Sequence, residues 1–162
     1  MRFRSFSIRR IILSSTFLAA AAFLFNSSQA KALGPHGDIS AGYSRLFNSG
    51  ADANGWQVDG HLKMAPFLGA EAGVSGYGGG NDYLYLFGPR ATVSAANLHL
   101  FAHFLIGGEH SGGVNEFVYG GGGGVDVSFF PHLAWRFAGD GFREPSPGVS
   151  FGRFTTGPVL RF

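Results

Sequence analysis

The sequence predicts an all-β protein, an eight-stranded antiparallel up-and-down transmembrane β-barrel preceded by an N-terminal signal peptide. Three observations predict it. Apolar residues recur at every second position through eight segments, the period of a strand with one greasy face. Composition is rich in aromatics and glycine, with 18 Phe, 5 Tyr and 27 Gly in 162 residues and only 14% charged residues, and glycine this frequent disfavours helices. No stretch after residue 30 approaches the roughly 20 apolar residues of a membrane helix, so a membrane location requires a closed barrel.

Residues 1–30 have the three parts of a secretory leader. Arg2, Arg4, Arg9 and Arg10 precede an apolar run from Ile11 to Phe25, and a short polar end carries small residues at Ser28 and Ala30. Cleavage is expected after Ala30 or Ala32. The apolar run is too short to span a bilayer as a helix. The leader holds four of the 12 bases and none of the 10 acids, so the remaining chain is slightly acidic and no Lys/Arg run remains. The basic pI therefore belongs largely to the leader and is no argument for nucleic-acid binding. The absence of cysteine excludes a disulfide framework and a thiolate site.

Residues 31–36 read as a lead-in, and residues 37–162 as the barrel. Gly37 to Phe47 alternates, with Ile39, Ala41, Tyr43 and Phe47 on one face; Arg45 is a misfit there. Gly55 to Met64 alternates most clearly, Trp56, Val58, Leu62 and Met64 opposing Gln57, Asp59, His61 and Lys63. Phe67 to Gly78 follows a turn at Ala65-Pro66. In Tyr83 to Ser94, Tyr83, Tyr85 and Phe87 oppose Leu84, Leu86 and Arg90, and Pro89 predicts a bulge or kink. Asn97 to Gly107 sets Leu98, Leu100 and Phe104 against His99, Phe101 and His103. Glu116 to Phe129 contains five consecutive glycines, Gly120 to Gly124. Leu133 to Asp140 and Ser150 to Phe162 complete the set. Tight connections (65–66, 95–96, 130–132) alternate with longer ones (48–54, 79–82, 108–115, 141–149), as short periplasmic turns alternate with outer loops in bacterial barrels.

The same alternation fits a soluble lipocalin-like barrel with its greasy face inward. The aromatics favour the membrane: those on the apolar faces cluster towards strand ends, where Tyr43, Trp56, Tyr83, Phe129 and Trp135 form the expected girdles. The opposite faces carry balanced charge. Asp59, His61, Glu71, Arg90, Asp126, Arg136 and Arg153 are the expected lumen network, with Arg90, Asp126 and Arg136 at its centre. A narrow eight-stranded interior has room for one such paired set.

Thr155, Gly157, Leu160 and Phe162 spell polar-x-Gly-x-x-apolar-x-aromatic, which resembles the signal read by the barrel-assembly machinery. Leu86-Phe87-Gly88-Pro89-Arg90, Gly122-Gly123-Gly124-Val125-Asp126-Val127 and Pro131-His132-Leu133-Ala134-Trp135-Arg136 resemble the small outer-membrane beta-barrel (opacity-protein-like) family of Gram-negative bacteria. That resemblance implies an outer-membrane protein in contact with lipid bilayer and lipopolysaccharide. It implies assembly by the barrel machinery with periplasmic chaperones, a monomer, no cofactor, and a structural or surface-interaction role. A small channel and a lipid-A-modifying enzyme are the alternatives.

Three constellations invite chemistry. His99 and His103 share a face about 13 Å apart, too far for one metal ion without further ligands, so no metal site is expected. Glu109, His110 and Ser111 are the types of a hydrolytic triad, but adjacency is not triad geometry, and no catalytic residue is expected. The glycine run lacks the Lys-Ser/Thr of a phosphate loop and reads as a flat wall against which Phe101, Leu105 or arginines pack.

Overall fold

The computed structural model describes residues 36–48, 52–78, 82–146 and 148–162; the expected leader and the lead-in up to residue 35 lie outside them. Eight strands form one closed sheet: β1 (His36–Phe47), β2 (Asp52–Lys63), β3 (Leu68–Tyr77), β4 (Asp82–Ala95), β5 (Leu98–Ser111), β6 (Val114–Phe130), β7 (Leu133–Arg143) and β8 (Ser150–Arg161). Each pairs antiparallel with its sequence neighbours, and β8 returns to β1, so no edge is left unpaired. Beyond β8, Phe162 and Gly37 exchange two backbone hydrogen bonds of 3.0 Å, carrying the seam to the end of the barrel. The rim where β1 begins and β8 ends is called the terminal rim below, and the opposite one the far rim.

The barrel is inverted relative to a water-soluble protein. Ile39, Trp56, Leu62, Phe87, Leu100, Phe104 and Leu160 are exposed on the outside, whereas Arg90, Asp126 and Arg136 are almost fully buried inside. Strand alternation produces this directly, since a charged residue between two greasy ones must point the other way. The outer surface is one that hydrocarbon solvates, and the fold is a transmembrane barrel. Tyr43, Trp56 and Tyr83 lie towards the far rim; Trp135 and Phe129 lie towards the terminal rim.

Two local readings are corrected. Pro89 causes no bulge: Phe87 pairs with Ile106 and Arg90 with His103, the same register on both sides of the proline. Its ring points outward, so only a local ladder contact is lost. The irregularity lies instead between Ser128 and Phe130, where β6 carries an extra residue against β7. With strict alternation interrupted there, Phe129 and Phe130 are both exposed on the outside. The expected long connection 108–115 is also a tight turn. Gly112 and Gly113 both have positive φ, 59° and 84°, the backbone that a two-residue hairpin requires, so β5 and β6 stay paired up to them. Residues 52–54 likewise belong to β2 and residues 141–143 to β7, because strand pairing persists beyond the apolar alternation.

The lumen has two storeys. Towards the far rim, Tyr77, Leu84, Leu86, Leu105, Val118, Phe142 and Phe151 form a buried apolar cluster. Towards the terminal rim, the interior is charged. The glycine run lies across both. Gly122 pairs with His103 on one side and Asp140 on the other, and the hydrogen bond from His103 to Asp140 passes over it. A Cβ at Gly122 would collide with Oδ1 of Asp140, and one at Gly120 would meet the Phe142 ring. These inward glycines leave space for side chains reaching from both neighbouring strands.

Candidate functional site in the barrel lumen

Arg136, projecting inward from β7, is the best-connected group. Its Nε donates to Oδ1 of Asp126 at 2.8 Å and its Nη2 to Oδ2 at 3.0 Å, a two-point pairing with the adjacent β6. Nη2 also reaches Asp38 Oδ1 at 2.9 Å and Nη1 reaches Ser40 Oγ at 3.0 Å. Those contacts cross β8 to β1, so one planar guanidinium ties three strands. Arg161 donates to Asp126 Oδ2 at 3.2 Å and to Ser128 Oγ at 2.7 Å.

Arg90 approaches Asp126 at 3.4 Å and stands 3.8 Å from the centre of the Phe101 ring. Phe101 can lie beneath it because Gly124 stands beside it in register on β6. His61 pairs through Nδ1 with Asp38 Oδ2 at 2.9 Å. Higher in the lumen, His103 bridges Glu71 of β3 (3.0 Å) and Asp140 of β7 (2.7 Å), spanning the barrel from β5. Arg153 completes that group with Nε at 2.8 Å from Asp140 Oδ2, and its Nη1 donates to Ser75 Oγ at 3.2 Å. Asp59 accepts from Ser40 Oγ at 3.2 Å and has no ion-pair partner among the described residues.

All seven expected lumen residues thus point inward, in one group around Arg136 and another around His103, joined where Arg90 stands 3.6 Å from Glu71. Beside them stand Asp140, Arg161 and His103, also on the inward faces of their strands, and Asp38, which the sequence reading did not single out. Extending the alternation of β1 back from Ser40 to Asp38 marks that acid as inward. His103 is a bridge between carboxylates, whereas His99, which shares its face, sits at the terminal rim bonded to Ser94 Oγ at 2.7 Å. No group of three metal-ligating side chains occurs among the described residues. Glu109, His110 and Ser111 do not converge: His110 pairs through Nδ1 with Asn115 Oδ1 at 2.7 Å, and strand alternation turns it away from its two neighbours.

Along β8, Thr155 and Gly157 face inward while Leu160 and Phe162 face outward. Gly157 lies against the β1 backbone, where a Cβ would strike the Ala41 carbonyl. Towards the terminal rim, Trp135 Nε1 donates to Thr156 Oγ1 at 2.8 Å, satisfying the indole on the outer surface.

With this geometry in hand, comparison with solved structures is decisive for the fold. A de novo designed transmembrane β-barrel superposes with a TM-score of 0.57 at 11% identity, over 82% of this chain and 98% of the design. Ail of Yersinia pestis, in complex with the heparin analogue sucrose octasulfate, gives 0.55 at 15% identity, over 80% and 100%. Neisserial surface protein A gives 0.53 at 15% identity, over 80% and 98%. The architecture is that of small bacterial outer-membrane barrels. No protein-family model and no curated protein matches the chain. The designed barrel matches as well as the natural ones, so the similarity carries architecture and no particular role.

Two predictions follow from the charges. Asp126→Asn keeps the side-chain shape but removes the charge shared by Arg136, Arg90 and Arg161. Stranding buried cations costs about 3–5 kcal/mol, so the unfolding temperature in detergent should fall clearly, and an unchanged midpoint would contradict the network. At the far rim, Glu144 is buried in the β7–β8 connection, near Glu109 and Glu116, which face each other across β5 and β6. Burial first, then the neighbouring carboxylates, push its carboxyl up from 4.5 to about 7. Between those values the folded chain binds more protons than the unfolded one, so this group's contribution to stability falls as pH rises through that window. Limited proteolysis should cut the 144–149 connection faster at about pH 8 than at about pH 5, and Glu144→Gln should remove the difference.

Proposed function

We propose that this chain is an exported outer-membrane protein with a structural or surface-interaction role, its lumen closed by its own side chains rather than open as a pore. One observation supports the reading: two sets of buried inward side chains, the apolar cluster from Tyr77 to Phe151 above and the arginine–carboxylate groups below. An eight-stranded barrel has an interior just wide enough for such filling. In this reading residues 1–30 are the cleaved leader and the terminal rim faces the periplasm. Thr155, Gly157, Leu160 and Phe162 are presented to the assembly machinery, and the two aromatic belts sit at the two lipid interfaces. The apolar face meets phospholipid on one leaflet and lipopolysaccharide on the other.

The far rim then faces the cell exterior. It carries Asp52, Asp82, Glu109 and Glu116, with Glu144 buried beside them, against the two bases Arg45 and Arg143, a net acidic set. An acidic rim suits a cationic partner, and in this respect the chain differs from a binder of sulfated sugars such as the one seated on Ail. The three types in Glu109-His110-Ser111 do not assemble, which favours the non-enzymatic reading over the lipid-modifying one.

The test is planar-bilayer recording of refolded, heat-modifiable protein. The closed lumen predicts no stepwise conductance above the bare membrane. Reproducible channel steps from protein that runs as the folded form on the gel would replace this reading with the channel.

A further inference from the structure

The ring of His103 is hydrogen-bonded through both nitrogens, and both partners are carboxylates. Nδ1 stands 3.0 Å from Oε2 of Glu71, and Nε2 stands 2.7 Å from Oδ1 of Asp140. The side chain is 2% exposed, so bulk water does not replace either partner. A neutral imidazole has one N–H and one bare nitrogen, and an ionised carboxylate only accepts. A neutral ring would therefore set a lone pair against a carboxylate oxygen on one side, whereas an imidazolium donates to both.

The charges of the storey point the same way independently. Its buried acids are Asp38, Asp59, Glu71, Asp126 and Asp140. The arginines among them are Arg90, Arg136, Arg153 and Arg161. Five carboxylates thus face four guanidiniums, in a place where unbalanced charge is costly. Lys63, at the terminal end of β2, is half-buried and keeps water. A proton within the storey closes the balance.

The neighbours of His103 direct that proton to its ring. Arg153 on β8 holds the other oxygen of Asp140 at 2.8 Å, and Arg90 on β4 stands 3.6 Å from Glu71, so both carboxylates are kept ionised. On β6 the residue level with His103 is Gly122, which brings no charge. On β2, His61 is level with Glu71 and Asp59 lies two residues along. His61 meets a carboxylate through Nδ1 alone, Asp38 at 2.9 Å, and its Nε2 has no hydrogen-bond partner among the described residues, which suits a neutral ring. Asp59 accepts from Ser40 Oγ at 3.2 Å, as an ionised carboxylate does.

We propose that His103 is an imidazolium at neutral pH and that its second proton is a clip, tying β3 and β7 to β5 and releasing them when base withdraws it. The unfolded chain's imidazole, with its ordinary value of about 6.5, is mostly neutral above that pH. The folded barrel then binds one proton more than the unfolded chain, so its stability falls as pH rises. The clip stands on the lumen geometry and not on the lack of conductance, so it and the closed-lumen reading fail separately.

The test reads the proton directly by nitrogen NMR of the folded full-length barrel in detergent micelles, with isotopically labelled histidine. Spectra are taken at about pH 7.5, and the chain unfolded in urea supplies the neutral pattern. Among the 6 His, His103 is identified by its proximity to the Phe101 ring, whose centre lies 5.6 Å away. Two protonated ring nitrogens of similar shift are expected; one protonated and one bare nitrogen, far apart in shift, overturns the proposal and moves the spare proton elsewhere. Glu71→Gln offers an amide donor to Nδ1 and removes one acid, so a neutral ring then satisfies both sides. The heat-modifiability gel confirms that this variant folds, and His103→Gln replaces it if it does not. Equilibrium unfolding in urea between about pH 7.5 and about pH 9 should lower the wild-type folding constant by up to about tenfold per pH unit more than the variant's, the slope of one linked proton. Parallel pH profiles overturn the clip.

Discussion

The guanidinium of Arg136 sits in a place where it has no bulk water to turn to, and the carboxylates of Asp126 and Asp38 are what make that placement tolerable. A buried charge costs several kcal/mol unless its partners are close and its remaining donors are satisfied. In a water-soluble domain an apolar core would supply the cohesion and the charges would remain outside. Here lipid takes the apolar face, and cohesion between non-adjacent strands is left to the interior. Arg136 reaches from β7 across β8 to β1, and His103 reaches from β5 to β3 and β7. Both link strands that share no ladder of hydrogen bonds.

The two storeys divide this work. The apolar cluster near the far rim is an ordinary packed core at small scale, with the Tyr77 hydroxyl tethered to Ser44 at 2.6 Å. The charged storey is specified by geometry, since the forks of Arg136 and Arg153 match Asp126 and Asp140 while Arg90 lies over the Phe101 ring. Glycine is the complement of both: at positions 120, 122 and 124 a side chain would occupy the space that Phe142, Asp140 and Ala138 use. The two ends also differ in their charged residues, with Glu109, Glu116 and Glu144 at the far rim and Lys63 and Arg161 at the terminal rim.

The sidedness of the strands was legible in the sequence because its cause is local. Trp56, Val58 and Leu62 alternate with Gln57, Asp59 and His61, and no distant contact is needed to read that. Pairing partners were not legible. Nothing in the sequence brings His103 to Glu71 and Asp140, since the three lie on different strands and meet only when the sheet closes. Asp38 was readable by extending one alternation within the strand expected from Gly37. The hairpin at Gly112-Gly113 was hidden because Glu109, His110 and Asn115 look like loop residues, although their backbones remain paired. Pro89 misled in the other direction: on an outward position in a closed sheet, a missing N–H is a local loss and leaves the register intact.

The central claim is that the aromatic-rimmed face lies against hydrocarbon, and the two tryptophans report on it directly. The sequence contains 2 Trp, and both are on the outside, Trp56 towards the far rim and Trp135 towards the terminal rim. In vesicles of lipids brominated at defined depths, the account predicts strong quenching of both by bromines near the interface, weaker quenching by bromines at the bilayer centre, and little quenching by aqueous iodide. Fluorescence that iodide quenches and brominated lipid leaves untouched would mean that water, not lipid, surrounds this face.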